Sequence, residues 1–197
     1  TPGIYDLTEP IVVNRADTIV LGMGLATLRV ANGTACMETG DVQGLIIAGL
    51  LFDSGETKSD NLLVVGTEKE ASGDTEKNNY LSDLFFRVGG TDTEKPVSVK
   101  CCATINSDHV IGDNFWVWRA DHGDNVAWDE NEAENGIIIN GDDVTMYALM
   151  VEHFKQYQTI WNGNRGKVYM YQSEIPYDVP AQEVWVSHEG QKNGYAS

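Results

Sequence analysis

The sequence predicts an all-β chain wound as a right-handed parallel β-helix, a solenoid forming a single domain over residues 1–197. Three observations predict it. The first is a recurring phrase, an Asp followed by a short β-branched or aromatic strand: Asp17-Thr-Ile-Val-Leu, Asp41-Val-Gln-Gly-Leu-Ile-Ile, Asp83-Leu-Phe-Phe-Arg-Val, Asp108-His-Val-Ile and Asp143-Val-Thr-Met-Tyr. The second is its spacing. Successive phrases start 24, 42, 25 and 35 residues apart, so two intervals are bare turns and two carry insertions. A period in this range, filled with strands and without a helical pattern, marks stacked coils. The third is a tighter register in the second half, where Asn106-Ser-Asp, Asn140-Gly-Asp and Asn162-Gly-Asn each introduce a strand, 34 and then 22 residues apart. Asn tolerates left-handed backbone angles at corners, and stacked Asn side chains can form a ladder between coils.

Residues 4–53 read as strand, turn, strand: Ile11 to Val13, Thr18 to Leu21, Thr27 to Val30, Leu45 to Ile47 and Leu50 to Phe52. Gly22, Gly24, Gly33, Gly40, Gly44 and Gly49 punctuate them and are expected at the corners. Thr67 to Asn79 (TEKEASGDTEKNN) turns charged and loses any apolar face, so it is expected to leave the coil as a loop. Gly123 to Asn135 (GDNVAWDENEAEN), acidic and carrying Trp128, is expected to be a second loop. Loops of a solenoid gather on one flank, and that flank commonly binds.

Composition excludes several function classes. With 13 Lys plus Arg against 30 Asp plus Glu the formal net charge is −17, which repels phosphate backbones and anionic lipid, so no nucleic acid is expected as a partner. The chain has no apolar run of about 18 residues, the minimum for a membrane-spanning helix, and no membrane partner is expected. The acidity suits a solvated, extracellular face. Clustered carboxylates holding Ca²⁺ are the alternative, although the chain lacks an Asp-x-Asp-x-Asp-Gly loop, and neither another cofactor nor a metal is expected. Cys36, Cys101 and Cys102 are odd in number, and adjacent Cys101 and Cys102 leave at most one to pair with Cys36; the simpler reading is three small buried hydrophobes. Asn32-Gly33-Thr34 is an acceptor triplet for N-glycosylation and points to secretion. The abrupt start at Thr1-Pro2-Gly3 suits a processed or partial chain.

Counting 12 residues on from Asn106, Asn140 and Asn162 reaches Trp118, Glu152 and Glu174. In register, these three stand on successive coils about 4.8 Å apart. Asp121, His122, His153 and Tyr177 lie close by in sequence. Two carboxyls flanked by aromatic rings are the parts of glycoside hydrolysis, with one as general acid, another as base or nucleophile, and indoles on which sugar rings stack. Glu152 and Glu174 are therefore the preferred catalytic pair and Asp121 the third carboxylate. His122 and His153 are read as orienting groups, and Trp118, Trp161 and Tyr177 as sugar-binding surfaces. The bland alternatives are that the carboxylates are merely solvated, that the Trp residues are packing groups, and that the His residues satisfy local hydrogen bonds. The spacing of His122 and His153 matches no zinc motif, and the chain has neither a nucleophile elbow nor a Gly-rich phosphate loop before a helix.

The runs GIYDLTEPIVV, TIVLGMGLATL, GLIIAGLLFDSG, FWVWRADHG, INGDDVT, VEHFKQYQTIWNGNRG and YQSEIPYD resemble secreted bacterial and fungal pectate-lyase-like β-helix proteins. These are related to the family 55 glycoside hydrolases, exo-acting β-1,3-glucanases built from two β-helical domains. The resemblance implies the fold, secretion and a role on a polysaccharide, with β-1,3-glucan as first expectation and a second β-helical segment of a longer protein as the partner that completes the cleft. Two other readings stay open. A Ca²⁺-dependent polysaccharide lyase needs a cation beside a uronate, and only Arg119 and Arg165 are near the candidate face. A non-catalytic β-helix that binds glycan or builds an extracellular structure needs no engine at all.

Overall fold

The computed structural model describes residues 1–67, 77–91 and 93–185. Among the described residues thirteen strands alternate between two sheets. The odd strands β1 (Ile4–Leu7), β3 (Ile19–Val30), β5 (Ile46–Asp53), β7 (Asn79–Val88), β9 (Val110–Arg119), β11 (Thr145–Glu152) and β13 (Lys167–Glu174) form the first sheet, in that order. The even strands β2 (Ile11–Val13), β4 (Met37–Thr39), β6 (Ser59–Val65), β8 (Ser98–Ile105), β10 (Glu132–Ile139) and β12 (Tyr157–Trp161) form the second. Every pairing is parallel. Each coil thus donates one strand to each sheet, and the chain is all-β. Among the described residues the only helical turn is Gln182–Val184.

The core fills the space between the sheets. Phe52 stacks on Phe86 at 4.9 Å, and Phe86 leans on Phe115 at 6.1 Å, so aromatic rings run from coil to coil along the axis. All three cysteines are free and buried, and burial raises the thiols of Cys36 and Cys101 to about 12. They pack as small hydrophobes.

A ladder of amides closes one corner. Asn162 Nδ2 donates to Asn140 Oδ1 at 2.8 Å, Asn140 Nδ2 donates to Asn106 Oδ1 at 2.8 Å, and Asn106 Nδ2 donates to the Gly66 carbonyl at 3.0 Å. The spacing of these three Asn residues is therefore structural.

The recurring Asp is not one structural position. Asp17 and Asp143 share a corner with Gly44, His109 and Arg165, all at positive φ and all aligned by the strand register. Asp41 and Asp108 come before that corner residue, and Asp83 lies inside β7. Asp83 belongs to a second column of left-handed residues, Leu25, Gly49, Asp83, Asn114, Ala148 and Met170, with φ from 52° to 69°. Each is the one residue by which its strand bends, and it resets the alternation: in β7, Leu81 points in before the bend and Leu84 and Phe86 point in after it. Gly22, Gly24 and Gly49 are consequently not corners between strands. They sit within β3 and β5, so that Thr18 to Leu21 and Thr27 to Val30 are parts of one strand apart from Thr18 itself, as are Leu45 to Ile47 and Leu50 to Phe52 apart from Leu45 itself.

The two expected loops also need correction. Asn79 already begins β7, and residues 68–76 lie outside the described residues. Gly123 to Asn131 does connect β9 to β10, but Glu132 to Asn135 are strand, paired with β8 from Ser98 to Cys101. The polar run hides an alternation. Glu132 and Glu134 face outward while the small Ala133 is buried, leaving no large apolar residue to betray the strand.

Candidate active site

The bends in β9, β11 and β13 leave the last residues of each strand in one phase. Phe115 and Val117 point into the core, which turns Trp116 and Trp118 outward. Leu149 and Val151 do the same for Met150 and Glu152. Register then aligns Trp118, Glu152 and Glu174 as direct neighbours on adjacent strands. The same row continues backwards through Arg87, Asp53, Arg29 and Asp6, one residue from every strand of the first sheet.

Glu152 and Glu174 share one donor. Gln172 Nε2 donates to Glu152 Oε1 at 3.0 Å and to Glu174 Oε1 at 2.8 Å, which holds the two oxygens within about 6 Å of each other. The second oxygen of Glu152 accepts from Trp116 Nε1 at 2.9 Å. Glu152 is only 8% exposed because these outward neighbours cover it, not because it enters the core. Glu174 is more open, and its Oε2 is hydrogen-bonded to the Tyr177 hydroxyl. That bond to the carboxylate raises the Tyr177 phenol.

His153 and Asp121 complete the wall. The His153 ring is buried, with Nδ1 donating to the Ile175 carbonyl at 2.9 Å. Its Nε2 then stands 3.9 Å from Asp121 Oδ2 and 4.0 Å from Glu174 Oε2, between the two carboxylates. His122 Nδ1 donates to Asp121 Oδ1 at 2.8 Å. Partial burial pushes the Asp121 carboxyl up, yet the His122 hydrogen bond and nearby His153 outweigh it and hold the group below its usual value.

The aromatic groups form two pairs. Trp116 and Trp118 stack at 5.1 Å with Trp118 tilted against His122, and Tyr177 lies against His153 at 4.6 Å. Trp161 is not part of this assembly. It ends β12 in the second sheet, packs on the core, and meets the Gly166–Lys167 start of β13, the end opposite Glu174. It stands apart from Trp118 because successive strands of one coil belong to different sheets.

Arg119, next after Trp118, turns inward and is fully buried. Its guanidinium donates to Asp178 at 3.0 and 2.7 Å, to Asn131 and to the Ala127 carbonyl. It thereby ties the segment beyond Glu174, which carries Tyr177, to the β9–β10 connection. Desolvation raises the Asp178 carboxyl, but the Arg119 hydrogen bonds and charge dominate and hold it low. Among the described residues no group of three or more His, Cys, Asp or Glu is arranged to hold a metal ion.

Sequence reasoning omitted Trp116 and Gln172 from the site. Both stand two residues before a named residue on the same strand face, Trp118 and Glu174, so the period of two was the available signal. The Arg119–Asp178 pair joins positions 59 residues apart and has no local signature.

The chain has relatives of similar sequence and fold. Residues 1–174 match the LAM55 pectate lyase-like domain. The chain is 42% identical over 198 residues to an exo-β-1,3-glucanase from Streptomyces sp. (strain SirexAA-E / ActE), covering 100% of this chain and 32% of that protein. Two solved structures of sacteLam55A from Streptomyces sp. SirexAA-E superpose with a TM-score of 0.88 at 40% identity over 92% of this chain. One of them is a glutamate-to-alanine variant in complex with glucose. The chain spans about a third of the length of these relatives. With the family match extending from the first strand to Glu174, the chain belongs to the LAM55 pectate lyase-like domain family.

Proposed function

We propose that this chain is one right-handed parallel β-helix of a longer, secreted glycoside hydrolase that cleaves β-1,3-glucan. The observation that carries the reading is the single row in which Trp118, Glu152 and Glu174 stand side by side with Gln172 between the carboxylates. Glu174, the more open of the two, is the general acid that protonates the leaving oxygen. Glu152, His153 and Asp121 fix its surroundings, and the Trp116–Trp118 stack offers a face to a sugar ring. The exo-β-1,3-glucanase relative supports the substrate, and the acidic composition with its Asn32 triplet supports secretion.

Because Glu152 and Glu174 lie on one wall, bridged by one amide, they do not flank a sugar ring from opposite sides. Glycosidic cleavage by water needs a group on the other face. That group is supplied by a second segment of the longer protein, and this chain alone is half of a cleft. The lyase alternative is weakened by its own requirement: Arg119 is committed to Asp178 and Arg165 to Asp143, so neither stands beside the site as an available cation.

Glu174→Gln in the full-length protein is the test. Turnover of a soluble β-1,3-glucan should fall by about two to four orders of magnitude, the usual worth of a general acid, with the melting temperature unchanged. Wild-type-like turnover would end the reading and leave a glycan-binding role.

A further inference from the structure

The row that carries Glu152 and Glu174 does not end at Trp118. It runs on through Arg87, Asp53, Arg29 and Asp6, one per strand, and its charges alternate in sign. Arg87 donates to Asp53 at 3.2 and 2.8 Å, and Arg29 donates to Asp6 at 2.6 Å. Paired in this way the four charges present little net field, which suits a polar neutral ligand rather than a polyanion. At the far end of the row a hollow of about 280 Å³ is lined by Asp6, Arg29, Ser54, Glu56, Thr93 and Glu94. Ser54, 2% exposed, forms part of its floor.

We infer that this hollow is a distal glycan subsite, and that a polysaccharide chain lies along the solenoid axis from Glu174 across Trp118 and the Arg87–Asp53 pair to Arg29. The inference rests on the glucan reading above. A guanidinium, three carboxylates and the Thr93 hydroxyl around one hollow match sugar hydroxyls, each of which both donates and accepts. Four strand steps separate Arg29 from Glu152, about 19 Å at the usual strand spacing. A short oligomer bound at the carboxylates does not reach Arg29, whereas a long one does. The hollow therefore acts on chain-length preference and leaves the chemistry alone.

The experiment is a calorimetric titration of the full-length protein with β-1,3-linked gluco-oligomers from dimer to heptamer, beside kcat and KM for the same series. Arg29→Met should weaken binding of the longest oligomers about tenfold, as expected for losing a charged hydrogen-bonding partner, and leave the dimer and kcat unchanged. Glu94→Arg, at an exposed position on the rim, blocks the hollow without removing a coil contact and should do the same. Equal losses at every chain length, or no loss at any, overturn the inference. Length-dependent binding in a protein that turns over no glucan would uphold the subsite while sinking the catalytic reading. The reverse result, turnover with no dependence on Arg29 or Glu94, would do the opposite.

Discussion

Arg119 and Asp178 form a two-pronged ion pair, Nη1 to Oδ1 at 3.0 Å and Nη2 to Oδ2 at 2.7 Å, with the guanidinium fully buried and the carboxylate partly open. This contact, more than any strand pairing, places Tyr177 over His153 and beside Glu174, because β13 ends at Glu174 and the next residues have no sheet to hold them.

Breaking it should be costly in two ways. Asp178→Asn leaves the Arg119 charge buried, and we expect a loss of about 2–3 kcal/mol, below the ~3–5 of a fully buried pair because Asp178 retains some solvent. Urea unfolding of the full-length protein measures it. The pair also sets an acid limit. Its folded carboxyl is held below the unfolded value, so its contribution is complete above about pH 3.9 and is lost as pH falls through the folded value. Asp121 adds in the same direction. The acid-unfolding midpoint of Asp178→Asn should show a smaller dependence on pH in that window than wild type; an unchanged curve would remove the pair from the stability argument.

The column of left-handed residues in the first sheet predicts opposite outcomes at two of its rungs. Ala148 holds φ at 55°, a conformation that costs an L-residue about 1–2 kcal/mol. Ala148→Gly should thus be neutral to about 1 kcal/mol stabilising once the entropy of the unfolded glycine is set against the strain. Gly49→Ala should destabilise by more than that, since φ is 69° and an added Cβ would stand 2.7 Å from the Gly22 carbonyl oxygen. Thermal melts of both variants should move in opposite directions or, for Ala148→Gly, not at all.

Asn140 both donates within the amide ladder and accepts from it. Asn140→Asp keeps the acceptor for Asn162 but sets a carboxylate oxygen against Asn106 Oδ1 where a donor had been. A loss of about 1–3 kcal/mol follows from the unpaired acceptors. Asn140→Asp with wild-type stability would mean that the ladder contributes nothing beyond the backbone bonds at that corner.

Gln172 donates to both carboxylates, and Gln172→Leu keeps its size while removing the bridge. Turnover of glucan should fall at least about tenfold, from the loss of one charge-assisted hydrogen bond to each carboxylate, while circular dichroism stays unchanged. Equal kcat in wild type and variant would show that the bridge is incidental to the chemistry.

Much of the site was legible because a solenoid turns chain length into position. Between a corner Asn and the end of the next strand no insertion intervenes, so an equal count of 12 residues lands Trp118, Glu152 and Glu174 on one row, and the register bears this out. The Asn ladder follows from the same arithmetic, as does the parallel stacking of strands. The Asp phrase misled because Asp and Gly both accept left-handed angles: Asp17 at a corner, Asp83 at a mid-strand bend and Gly49 at the equivalent bend look alike or unlike for reasons unrelated to their place. Only the tertiary structure decided which sheet a strand joins, and so sent Trp161 away from Trp118. It also decided the Arg119–Asp178 pair and the shared amide of Gln172, for these are contacts across coils, and the direction in which a side chain leaves its row is set by packing against chain that is remote in sequence.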